Sequence, residues 1–72
     1  MKIYSYQEEK EEFLDLKEIS LVASAQELKQ VVKLLEKAIE IKESKGGEDH
    51  IHLQDIWEEW NDELPDIVVT TD

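Results

Sequence analysis

The segment Ser24–Gly47, SAQELKQVVKLLEKAIEIKESKGG, decides how this chain folds. Ser24 and Glu27 have the spacing of a capping box. The serine hydroxyl accepts from a free helix amide, and the glutamate reaches back to the serine N–H. Leu28, Val31, Val32, Leu35, Ala38 and Ile39 recur at steps of three and four, which predicts one apolar helix face. Leu34 and Ile41 widen that stripe, and Lys29, Lys33, Lys37 and Glu40 make the wet face. Gly46-Gly47 ends the helix, because glycine enters the left-handed conformation without steric cost.

Working outward, the N-terminal side predicts two strands. Lys2–Tyr6 alternates polar and apolar residues, with Ile3 and Ser5 on one face and Lys2, Tyr4 and Tyr6 on the other. Gln7–Glu12 holds four glutamates and one lysine, so it reads as a solvated turn. Phe13–Ala23 is the second expected strand, with Ile19, Leu21 and Ala23 toward the helix. Leu14 and Leu16 have the opposite parity, consistent with a bulge, a late start or an apolar spot on the far face.

On the C-terminal side, Glu48–Asp55 is the third expected strand. Ile51 and Leu53 would face the helix, and His50, His52 and Gln54 would face away. Ile56–Glu63 reads as a connection carrying Trp57 and Trp60, with room for a helical turn. Asp66–Thr71 is β-branched and is the fourth strand, with Ile67 and Val69 on one side. The expected fold is α+β: a four-stranded, mostly antiparallel sheet in the order β-β-α-β-β, with one helix across one face. The other face would be open and would carry Tyr4, Tyr6, Val22, His50, His52 and Val68.

The 72 residues make one small domain, and there is no cysteine to supply a disulfide or a thiolate ligand. Pairing with a second chain is a natural source of extra burial at this size. The first six residues lack the apolar core of a signal peptide, and no apolar run reaches membrane-spanning length. The expectation is a cytoplasmic protein. The formal charge is −11, unevenly spread. Ala25–Lys45 sums to +1, from five lysines and four glutamates, so the remainder carries −12. That field disfavours nucleic acid and anionic lipid and favours a basic protein partner, although acidic surfaces also serve solubility alone.

His50-Ile51-His52 is the sharpest local pattern. On a strand its imidazoles share a face about 6.6 Å apart, where they can contact a partner or bridge a metal. With two histidines and no cysteine the metal set is half built, so these residues are read as contacts and no cofactor is expected. Trp57 and Trp60 flank Glu58-Glu59. They either plug the end of the core or anchor an acidic recognition loop. The chain has no arginine for bidentate clamping, no glycine-rich phosphate loop and no nucleophile turn, so catalysis is not expected. The expected partner surface comprises Tyr4, Tyr6, His50, His52, Trp57, Glu58, Glu59 and Trp60. Its occupant would be a basic protein or, alternatively, a second copy forming a homodimer.

Four stretches give the chain a family likeness: Met1–Tyr6, the Val22–Leu28 helix entry, His50–Asp55 with the downstream tryptophans, and Pro65–Val69. In order and pattern the chain resembles the small bacterial immunity proteins of polymorphic toxin systems. The resemblance implies a protein that binds and neutralises a toxin without catalysis.

Overall fold

The computed structural model describes residues 4–7, 10–46 and 49–71, with the backbone alone for Tyr4, Tyr6, Gln7 and residues 10–15. Its elements are β1 (Tyr4–Gln7), β2 (Lys10–Asp15), α1 (Ala25–Lys45), β3 (Asp49–His52), α2 (Leu53–Ile56) and β4 (Val68–Thr71). Lys2, Ile3, Gly47 and Glu48, which fall within the expected first strand, helix end and third strand, lie outside the described residues.

The helix begins as its sequence dictates. The Ser24 hydroxyl accepts from the Glu27 amide at 3.1 Å, and Glu27 Oε1 accepts from the Ser24 amide at 2.8 Å. These bonds from Ser24, backbone first, lower the Glu27 pKa. At the far end, Gly46 takes a φ of 66° and donates its N–H to the Lys42 carbonyl at 2.9 Å. Lys42 and Lys45 lie in the last turn, where the helix dipole favours cations.

The four-stranded sheet does not form. Among the described residues the strands make two separate two-stranded antiparallel ladders, β1 with β2 and β3 with β4, and the layer against the helix is the β3–β4 pair. The α+β class itself holds. β2 begins at Lys10, inside the stretch expected to be a turn, and Gln7 pairs directly with Lys10. A two-residue connection costs less closure entropy than the longer loop that a strand centred on Lys17–Ala23 would require. Residues 16–24 form no regular element, and Ile19, Leu21 and Ala23, expected under the helix, are exposed.

β3 and β4 pair where strands are expected, but both are shorter. β3 stops at His52, where Leu53–Ile56 turn into α2, and β4 starts at Val68 rather than Asp66. The register is Asp49↔Thr71, His50↔Thr70, Ile51↔Val69 and His52↔Val68. The alternation turns Ile51 and Val69 toward α1 and leaves His50, Val68 and Thr70 on the outer face. Leu53 continues past β3 into the single turn of α2. Its amide donates to the Ile67 carbonyl at 2.8 Å, which ties α2 to the entry of β4.

The core corrects the helix face. Leu34 is wholly buried and Ala38 is 4% exposed, in one cluster with Ile51 and Leu53. Ile41, Ile56, Trp57, Trp60, Ile67 and Val69 pack around it. Leu28, Val32, Leu35 and Ile39, expected in the core, are 43%, 51%, 48% and 56% exposed. The cause is width. Two strands span only about 5 Å between their axes, so they cover one strip of a helix roughly 10 Å across. The hairpin seats on Leu34–Ala38–Ile41 and leaves the neighbouring apolar strip uncovered. Two outcomes follow for urea unfolding. Leu34→Ala lowers stability by about 2–5 kcal/mol through lost burial and the cavity left behind. Ser24→Ala lowers it by about 1 kcal/mol through loss of the cap.

Candidate functional site

The outer face of the β3–β4 hairpin and the acidic loop 57–66 form the surface that holds most of the expected contact residues. His50 and His52 share that face, as a strand requires, with ring centroids 5.4 Å apart and planes at 75°. His50 is exposed. His52 is anchored: its Nδ1 lies 2.7 Å from Asp66 Oδ2. An ionised carboxylate only accepts, so Nδ1 carries the proton and Nε2 faces away from the pair.

Asp66 is the residue that sequence reasoning missed. Its Oδ1 accepts from the Gln54 amide at 3.2 Å and from its neighbour, the Ile67 amide, at 3.0 Å. Its Oδ2 accepts from the Gln54 side chain at 3.1 Å and from His52. One carboxylate thus fastens the end of β3, the start of α2 and the approach to β4. Burial pushes its pKa up. The hydrogen bonds from His52 and Gln54 and the charge of His52 outweigh that and hold it below the usual 3.8. The signal in the sequence was slight: an acid directly after Pro65, at the mouth of a β-branched run.

The tryptophans are half-buried plugs. Both pack on the core cluster, and the Trp60 indole N–H donates to the Pro65 carbonyl at 3.1 Å. The Trp60 amide donates to the Trp57 carbonyl at 3.1 Å. Asn61 Oδ1 accepts from the Glu63 amide at 2.8 Å, which tightens the next turn. Glu58, Glu59, Asp62 and Glu63 are exposed along this loop. From Asp55 to Asp66 there are six acids and no lysine. The loop is therefore a fixed acidic ridge rather than a loose one: its rings pack on the core, the Asp66 carboxylate is tied to the hairpin, and Glu58, Glu59, Asp62 and Glu63 face solvent.

Tyr4 and Tyr6 belong to a different ladder from the histidines, so no single sheet face carries all four. Their side chains lie outside the described part of the structure. Among the described residues, no group of three or more His, Cys, Asp or Glu side chains is placed to hold a metal. No helix among them is long and apolar enough to cross a membrane. Neither a family model, nor a curated protein, nor a solved structure matches the chain.

The Asp66 network carries a pH dependence with a definite sign. Its folded-state pKa lies below its unfolded value, so its contribution is complete above the ordinary value of 3.8. That contribution disappears as pH falls through the lower folded-state value. Asp66→Asn should lower stability at neutral pH by roughly 1–2 kcal/mol and flatten the acid limb of the stability curve, as followed by circular dichroism in urea. An unchanged acid limb would show that Asp66 does not make these bonds in solution.

Proposed function

We propose that this protein is a non-catalytic binding module that captures a basic protein partner, with the role of a toxin-neutralising immunity protein in the bacterial cytoplasm. The observation that carries this reading is the ridge at 57–66. Trp57 and Trp60 lock its backbone to the core while Glu58, Glu59, Asp62 and Glu63 stay exposed. An acidic ridge held in one shape loses little entropy on binding, and its field speeds encounter with a cationic surface. The adjoining hairpin face adds His50, Val68 and Thr70 as further contact area. The net charge of −11 supports a basic partner over nucleic acid or anionic lipid. The likeness in pattern to immunity proteins supports the choice of a toxin as that partner.

The test is capture of proteins from the source cells on the immobilised chain, with release followed across a salt gradient. A basic protein should bind at low ionic strength and elute as salt rises, because screening shortens the reach of exposed charges. Glu58→Lys with Glu59→Lys should weaken that binding roughly tenfold, equivalent to about 1.4 kcal/mol. Capture that ignores both salt and this double substitution would overturn the reading.

A further inference from the structure

Seven of the eight large apolar side chains left exposed among the described residues lie between Ile19 and Ile39. Four of them, Leu28, Val32, Leu35 and Ile39, are spaced by four, three and four residues. This spacing keeps them in one line along α1, with leucine alternating with a β-branched residue, as in the seam of a two-stranded coiled coil. The line runs beside the strip that seats the β3–β4 hairpin and shares none of its buried residues. On the flank away from the hairpin, the charges are sorted by sign. Lys29 and Lys33 come first, followed by Glu36, Glu40 and Glu43.

We propose that a second copy of this chain covers this stripe, with the two α1 helices antiparallel about a two-fold axis beside residues 33 and 34. That pairing sets Leu28 against Ile39 of the partner subunit, and Val32 against Leu35 of the partner subunit. The sorted flank makes the direction specific. Lys29 falls within about 3 Å, measured along the axis, of the glutamates at 36 and 40 on the other copy. The two-fold repeats the match at the other end, as an isologous interface requires. A parallel pair would turn this flank toward the hairpin side of the other copy, away from its own lysines and glutamates, and lose the match. The shallow depression lined by Glu36, Ile39, Glu40, Glu43 and Ser44 is where the other copy's Leu28 and Lys29 would fall. Overall charge points to the same face. α1 sums to +1 while the rest of the chain carries −12, so two copies meet with least repulsion helix to helix.

This interface is separate from the acidic ridge, and its test uses the purified chain alone. Light scattering should return twice the 8.5 kDa chain mass, and the dimer should persist in high salt. Leu35→Glu should give a monomer that keeps its helical circular dichroism. Lys29→Glu with Lys33→Glu should by itself be monomeric, as should Glu36→Lys with Glu40→Lys. An equimolar mixture of the two should restore the doubled mass. A monomeric wild type at millimolar concentration would overturn the proposal. So would a dimer that survives Leu35→Glu, or one indifferent to the charge exchanges.

Discussion

Leu34 and Ala38 on α1, packed against Ile51 and Leu53, are the contact on which the rest of the molecule depends. The layer facing the helix is only two strands wide, so the contact is narrow. Its narrowness has two consequences. The apolar arc of α1 is broader than its cover, which leaves a second apolar strip in water. The ends of the core stay open unless large side chains close them, and Trp57, Trp60 and Ile56 do so. A two-stranded hairpin has little stability on its own, so β3–β4 and α1 stand or fall together.

The hydrogen bonds serve the same contact. Asp66 joins three chain segments at the point where β3 turns into α2 and β4 begins. The Leu53–Ile67 backbone bond extends the pairing of the hairpin by one step, and the Trp60–Pro65 bond closes the long loop. These partners fix the loop 57–66 while Glu58, Glu59, Asp62 and Glu63 remain in solvent. The molecule therefore presents two surfaces of different character, a rigid acidic ridge and an apolar helix strip. Each lies beside the core without belonging to it.

What could be read from the residues followed from local physics. The capping box at Ser24–Glu27 and the stop at Gly46 depend on neighbours in sequence, and both appear as read. The alternation of Ile51 against His50 and His52, and of Val69 against Val68 and Thr70, was also legible, because period two in a half-buried strand is a local signal; that β3 gives way to a helical turn at Leu53 was not. What could not be read depended on distant competition. Phe13–Ala23 had good strand residues, yet β2 formed earlier, in a glutamate-rich stretch, because closing a short hairpin costs less than closing a long loop. The choice between Leu34 and Leu35 as the core leucine turned on how wide the facing layer is. Periodicity of the helix alone cannot supply that width. Asp66 was missed because a single acid carries no pattern.

The most direct test of this account is the set of methyl contacts around α1 in a nuclear Overhauser spectrum of the isotopically labelled protein. The account predicts contacts from the Leu34 methyls to Ile51 and Leu53, and none from Leu35 or Ile39 to those residues. Contacts from Leu35 and Ile39 to Ile51, with Leu34 facing water, would contradict it, because the hairpin would then sit on the other strip of the helix.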